Sequence, residues 1–399
     1  MKKILYLCPE VPFPSDTGGK MAFKNHLNLL IQNEYIIDAV FLNVNDYKSD
    51  ISKDWKKELR AYYIFERKVP NIRTIRGKFL FLWNLFFSSY PRAVSVRRHS
   101  KINNLILDLT KSNTYDLVIF DHFSSFGFIS SEVYSIPIKK VYIAHNIESF
   151  VWKDSYENQK GFEKFIAGLE LKKTLVYEKR ILHESSKIIT ISSNDRDFLK
   201  TEFPELKIQN ISEILPPQSR RWRYDDKVRT LLFVGGTNYY PNYEAVDWLV
   251  KCLMPKLFKL DKSICCKIVG INHNYPKVGV PENVQFVGRV DDEELEYLYV
   301  NSTVFISPVS LGSGVKIKVL TALSYAIPLL CTSESLNGID LPNKDEMIID
   351  RNNISETIQK ISKLFNSGDL MLKSKLLEES CEFQYCRIKH IWQTVLNED

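Results

Sequence analysis

Residues 1–42 read MKKILYLCPEVPFPSDTGGKMAFKNHLNLLIQNEYIIDAVFL. Ile4–Leu7 is a short apolar run, Lys20–Gln32 sets Phe23, Leu27, Leu30 and Ile31 at helical spacing, and Ile37–Leu42 is a second apolar run. A strand, a helix and a strand in that order make a crossover unit, whose two strands lie parallel. Further runs at Leu117–Phe120, Lys140–Ile143 and Lys187–Ile191 are rich in β-branched residues and are separated by helix-sized segments. Strands without polar alternation are buried on both faces, so a parallel sheet covered by helices on both sides is expected. The fold class is α/β, doubly wound.

The same grammar restarts after Pro216-Pro217, with strands expected at Thr230–Val234, Cys266–Val269, Val284–Val287, Val304–Ile306 and Pro328–Cys331. A chain of 399 residues has room for two such domains. The boundaries read from composition are 1–215 for the first domain, 216–226 (PPQSRRWRYDD) for the linker and 227–378 for the second domain. Residues 379–399 form a terminal helix that either closes the second domain or crosses back to the first. Phe383, Cys386, Ile388, Ile391 and Trp392 are available for its packed face.

Composition narrows the function classes. Hydrophobic residues are 44% and charged residues 26%, which is globular and far from the disordered range. Seven cysteines without a CxxC pair argue against a disulfide framework and a structural zinc site, and fit a reducing cytoplasm. The apolar run at the start ends at Pro9, too short for a secretory signal, and Phe79–Phe87 falls well short of the roughly 20 residues of a membrane span. The net charge of +6 is uneven: Arg60–Lys111 holds 11 Lys/Arg against Glu66 and Asp108. Its aromatic stretch Lys78–Arg98 reads either as core or as a face for an anionic membrane surface. No nucleic-acid motif accompanies it.

Ligands of doubly wound sheets bind beyond the carboxyl ends of the strands, so the loops there are searched first. Two carry paired glycines: Pro12–Lys20 (PFPSDTGGK) and Gly235–Asn242 (GGTNYYPN). Either pair brings backbone N–H groups to a phosphate or simply makes a tight turn. Neither is a dinucleotide fingerprint or a Walker loop. Pro308–Thr321 (PVSLGSGVKIKVLT) is richer: Gly312 and Gly314 expose amides at the N-terminus of a helix opened by Gly314, and Lys316 and Lys318 add mobile positive charge suited to a diphosphate.

Together, GGK, HNIE at His145–Glu148, FVGGTNYYPN with AVDWLV, VQFVGRVDDEEL and PVSLGSGVKIKVLTALSYAIPLL resemble bacterial sugar-nucleotide-dependent glycosyltransferases of the GT-B fold, in retaining family 4. The resemblance runs over nearly the whole chain. It implies two facing Rossmann-like domains, the first for an acceptor and the second for a nucleotide diphosphate sugar. No cofactor is implied, and no metal site, since such enzymes hold diphosphate with amides and basic side chains. The acceptor implied is a glycan or lipid-linked sugar of surface polysaccharide synthesis, met in the cytoplasm or at the inner face of the cell membrane.

Carried over by position, Gly18 and Gly19 match the glycine loop that approaches donor phosphates. His122 and His145 fall at catalytic positions, while Lys20, Asn146 and Glu148 fall on the acceptor side. Gly235, Gly236, Gly270, Arg289 and Val290 border the nucleotide. Gly314, Val315, Lys316 and Lys318 meet the diphosphate. The chain departs from the pattern where two donor-contacting carboxylates are usual: it has Ser313 and Thr321. A threonine can bond one ribose hydroxyl but cannot accept two bonds as a carboxylate does. The departure leaves a silent binding subunit open, and a GT-B epimerase or hydrolase, which would share the donor site and consume donor without acceptor, is a second alternative.

Overall fold

The computed structural model describes residues 1–13, 15, 17–44, 55–312, 314–339, 341, 343–366 and 369–398. They form two compact units: Met1–Ser212 with Ile391–Asp399, and Glu213–His390.

The first unit holds β1 (Lys3–Cys8), β2 (Ile36–Val44), β3 (Ala61–Arg67), β4 (Leu117–Asp121), β5 (Lys139–Ala144), β6 (Lys187–Thr190) and β7 (Ile208–Asn210). All run parallel in the order β3-β2-β1-β4-β5-β6-β7. Ile4 pairs with Ile37 on one side and Leu117 on the other. The chain builds outward from β1 through β3, then returns to continue from the opposite side of β1. The crevice at such a reversal, outside the carboxyl ends of β1 and β4, is where a ligand can reach several loops at once. Leu5, Leu7, Val40, Phe120 and Ile188 are fully buried, and Phe126 stacks on Phe120 at 4.1 Å between ring centres.

The second unit repeats the plan with β8 (Thr230–Val234), β9 (Cys265–Val269), β10 (Val284–Gly288), β11 (Val304–Ser307) and β12 (Leu329–Cys331). The order is β10-β9-β8-β11-β12, so its reversal lies between β8 and β11.

Three expectations are corrected. The stretch 216–226, read as the linker, belongs to the second unit and packs on it. Trp222 is buried, its backbone N–H donates to Tyr325 O at 2.9 Å, and its indole donates to Ser302 O at 2.6 Å. The terminal helix spans Asp369–Asn397, and Phe383 and Cys386 lie on its exposed side. Trp392 is buried, and Lys187 satisfies the helix's last turn by donating to Val395 O at 2.5 Å. Finally, Gly314 does not open the helix that follows β11: that helix is Ile317–Ser324, with Lys316 at its N-cap.

Candidate active site

In each unit a group of polar side chains lies at the reversal of its own sheet. In the first unit the centre is Asp121, the last residue of β4, which is fully buried. Its Oδ2 accepts from Tyr6 Oη at 2.5 Å and from His26 Nδ1 at 2.9 Å, and its Oδ1 accepts from His145 Nε2 at 2.6 Å. Burial opposes the carboxylate charge, yet His26 and His145 outweigh it and hold the group far below the usual aspartate range. The same carboxylate, after burial, pushes the Tyr6 phenol up.

His122 follows directly in a backbone conformation with φ +80°, which costs about 1–3 kcal/mol for a side-chain-bearing residue. Its neighbours hold it there: the His122 N–H donates to Ile143 O at 3.0 Å, and Nδ1 accepts from the Ser124 backbone N–H at 3.1 Å. With Nδ1 accepting, the neutral ring carries its proton on Nε2, which lies 3.4 Å from Glu148 Oε1. Burial, then the charges of His145 and Arg97, push His122 well below the ordinary histidine value, so the ring is neutral at physiological pH.

The HNIE segment joins β5 to the Glu148–Asn158 helix. His145 is buried in the Asp121 network, and its ring lies 5.2 Å from that of His122. Asn146 is partly exposed in the turn. Glu148 is pushed up to about 7 by burial and then by the charge of Glu178. Glu178 in turn accepts from the Glu148 backbone N–H at 2.7 Å and the Ser149 N–H at 3.3 Å, capping the helix that carries Glu148. Gly18 and Gly19 start the Gly18–Gln32 helix, where a Cβ on Gly19 would meet nothing within 4 Å. Lys20 is buried in that first turn.

In the second unit three glycines pack backbone on backbone. Gly270 has φ +132°, and a Cβ there would sit 2.7 Å from Gly235 C and Gly236 N. A Cβ on Gly235 would meet Lys318 Nζ at 2.7 Å and Asn242 Cγ at 2.9 Å. Only glycine fits at Gly270, which meets backbone; at Gly235 a side chain would have to displace Lys318 and Asn242. Lys318 Nζ donates to Asn242 Oδ1, and Asn242 Nδ2 donates to Gly236 O at 3.0 Å, which ties the lysine to the glycine turn. The ammonium lies 4.5 Å from the centre of the Phe233 ring. Burial, followed by the charge of Lys316, pushes Lys318 down to about 7. Lys316 Nζ donates to Gly312 O at 2.7 Å and Gly314 O at 2.9 Å, holding the loop before the helix.

The remaining expected donor residues divide. Gly314 has φ +80°, and Val315 is partly buried beside it. Arg289 is exposed and Val290 partly buried just after β10. Ser313 lies outside the described residues. Thr321 is buried, and its hydroxyl donates to Ile317 O at 2.9 Å within its own helix. That bond commits the hydroxyl proton and leaves the oxygen's lone pairs as what Thr321 can offer a ribose hydroxyl.

Sequence reasoning missed Tyr6, Asp121, Arg97 and Glu178. Asp121 had a signal, an acid closing an apolar strand immediately before a singled-out histidine. The others had none, because their partners are far along the chain. One exclusion also changes. Spacing showed no metal-ligand set, but His26, Asp121 and His145 each bring one ligand atom within 4.8 Å of the others. Both histidines are hydrogen-bonded to Asp121, one to each carboxylate oxygen.

Comparison with known proteins follows the same division. Residues 228–367 match the family Glycosyl transferases group 1. A relative from Klebsiella pneumoniae, an uncharacterized 44.6 kDa protein in a cps region, is 21% identical over 365 residues, covering 88% of this chain and 87% of its own. Sucrose-phosphate synthase from Thermosynechococcus elongatus superposes with a TM-score of 0.67 at 12% identity, over 99% of this chain and 98% of its own. A TarM variant from S. aureus in complex with fondaparinux, alpha-GlcNAc-glycerol and UDP gives 0.65 at 12% identity over 100% of both chains. A trehalose-6-phosphate structure from E. coli bound with UDP-2-fluoro glucose gives 0.64 at 10% identity, over 100% and 99%. These likenesses establish a shared fold.

Proposed function

We propose that this chain, GT-B in fold and matching Glycosyl transferases group 1 through its second unit, moves a hexose-like sugar from a nucleotide diphosphate donor to a glycan or lipid-linked acceptor. The setting proposed is surface-polysaccharide synthesis, capsule or lipopolysaccharide, supported by a relative from a cps region. It is a cytoplasmic reaction, brought to the inner face of the cell membrane when the acceptor is lipid-linked.

The observation that carries the reading is the Lys318 cradle. An ammonium is held by one side-chain amide among glycine backbones, at the crevice of a doubly wound sheet, beside a second lysine. A partly desolvated cation there favours a multiply charged anion, because low dielectric strengthens the attraction. When the sugar–phosphate bond breaks, negative charge grows on the leaving diphosphate. Lys316, Lys318 and the amides around Gly314 stabilise that charge without a metal ion. The sugar becomes oxocarbenium-like, the acceptor oxygen attacks the face the phosphate is leaving, and its proton passes to the departing phosphate oxygen, giving retention. His122, neutral and with Nε2–H facing Glu148, orients a hydroxyl in this scheme. Gly19 serves as a close-approach position, since packing gives no reason for glycine there.

The silent binding subunit is the second reading, favoured by the committed Thr321 hydroxyl. A thermal-shift screen of UDP, GDP, dTDP and ADP sugars identifies the donor, because a ligand of the native state raises its melting temperature. With that donor radiolabelled, transfer to acceptor supports the proposal, release of free sugar indicates a hydrolase, and binding without turnover indicates the silent subunit. Lys316→Ala and Lys318→Ala should each weaken donor binding by about 1–3 kcal/mol in calorimetry. His122→Ala should lower kcat far more than donor affinity. Unchanged affinity in both lysine variants would remove the diphosphate assignment.

A further inference from the structure

The helix Ile75–Phe87 is turned the wrong way for a core helix. Ile75, Phe79, Leu82, Trp83, Phe86 and Phe87 recur at helical spacing and make one apolar stripe, but that stripe faces solvent: Ile75 is 89% exposed, Trp83 53% and Phe87 71%. The expectation that Phe79–Phe87 could form core is corrected. The face turned inward carries Gly77 and Leu85. The orientation is locked. Thr74 caps the helix by accepting from Gly77 N at 3.0 Å, and a Cβ on Gly77 would collide with Asn71 O at 1.9 Å. At the other end Lys173, from the Gly161–Glu184 helix, donates to Asn84 O at 2.8 Å and Leu85 O at 2.7 Å, satisfying last-turn carbonyls.

The stripe is continuous with a second exposed cluster. Phe79, Trp83 and Phe87 form a ring series at 6.2 and 4.5 Å, while Phe86 meets Phe165 at 6.3 Å, and Phe165 meets Phe162 at 6.3 Å. A contiguous exposed aromatic face of this kind marks an interaction surface. Charge identifies the partner. Residues 67–107 contain nine Lys/Arg and no acid, and Arg73, Arg76 and Lys78 are exposed at the start of the stripe. Docking a second copy on the same face would set positive against positive. An anionic surface is complementary, and aromatic rings beside basic residues suit the headgroup boundary of a bilayer. A helix of 13 residues, about 20 Å, lies in that boundary and cannot span it.

We propose that Ile75–Phe87, together with Phe162 and Phe165, is the face that docks this chain on an anionic lipid bilayer. This deepens the membrane setting above by naming the surface, and a vesicle assay reads it without turnover. Inactivity with vesicle binding would fail the transferase reading alone; activity without vesicle binding would fail this one alone. Arg97, although within the basic aromatic stretch Lys78–Arg98, is not part of the face: it is tied to Glu10 Oε1 at 3.1 Å.

The test is sedimentation with vesicles of phosphatidylcholine alone and of phosphatidylcholine mixed with phosphatidylglycerol. Wild type should bind only the mixed vesicles, and less as salt rises. Two triple variants, Phe79→Ser/Trp83→Ser/Phe87→Ser and Arg73→Gln/Arg76→Gln/Lys78→Gln, should keep the wild-type melting temperature and each lose about tenfold or more in partitioning. Trp83→Phe should keep binding and lose part of the lipid-induced blue shift in fluorescence. The proposal is overturned if wild type stays in the supernatant with mixed vesicles at low salt, or if binding survives both triple changes. It is also overturned if wild type is a lipid-free dimer that the aromatic triple variant turns into a monomer.

Discussion

The carboxyl ends of the two sheets occupy the same topological position and solve opposite electrostatic problems. In the first unit a buried anion, Asp121, accepts from three side chains, and its charge is stabilised. In the second a partly buried cation, Lys318, meets a neutral amide and another lysine, and its charge is disfavoured. A satisfied charge acts as scaffold. An under-compensated one attracts opposite charge, which is why the proposed donor is assigned to the second site and a positioning role to the first.

The largest effect should come from removing the satisfied charge. Asp121→Ala leaves Tyr6, His26 and His145 buried without their acceptor, and breaking such a network costs about 3–5 kcal/mol. Hydrogen exchange should speed up in β1, β4 and β5 and stay unchanged in β8 and β11. The pH dependence has a definite sign. A carboxyl whose native pKa is depressed contributes stability that is full above the ordinary aspartate value and is lost as pH falls below it, so the part of the acid loss below that value that comes from Asp121 should be present in wild type and missing from Asp121→Ala. Equal loss in both units would break the comparison by showing that Asp121 is no local scaffold.

The under-compensated charge gives an effect of middle size, read as a proton. Free Lys318 titrates near about 7, so above that pH most molecules carry it neutral. A bound diphosphate favours the ammonium and raises its pKa, so binding takes up a proton, and affinity falls as pH rises from about 7 to about 8.5 by up to roughly tenfold per unit. Calorimetry of the donor found by thermal shift, in buffers of different ionisation enthalpy, counts that proton. Lys318→Met should bind more weakly and show no uptake. Uptake that persists in Lys318→Met would assign the proton to another group.

What the sequence made legible follows from distance along the chain. Thr230–Val234 is the observed β8, and the runs for β1, β2, β4, β5, β6 and β9 to β12 differ from the strands by one or two residues at most ends, because a buried parallel strand carries its signal within itself. The edge strands β3 and β7 were not recognised: Ala61–Arg67 is half-buried and mixes polar with apolar residues, and Ile208–Asn210 is three residues long. The Asp121 network joins residues 115, 95 and 24 positions apart, which no local pattern displays. The stripe of Ile75–Phe87 was visible as composition, but the side it faces depends on Gly77 and Lys173, and on Phe165 in another helix.

The smallest expected effect separates resemblance from structure. Where relatives of the GT-B pattern usually carry a donor-contacting carboxylate, this chain has Thr321, and position alone suggests a hydroxyl on the ribose. In the structure the hydroxyl donates 2.9 Å to Ile317 O and the residue is buried, so only its lone pairs are left for a ribose. A serine or threonine bonded back four residues within a helix is satisfied locally and gains little by turning outward. Thr321→Val keeps the shape and removes only that bond, so donor affinity should stay within about twofold of wild type, and the melting temperature should fall by no more than the loss of one hydrogen bond, about 1 kcal/mol. A tenfold loss of donor affinity with the fold intact would mean that the hydroxyl leaves Ile317 on binding. The second site would then rearrange around its ligand, and the contrast with the pre-satisfied first site would widen.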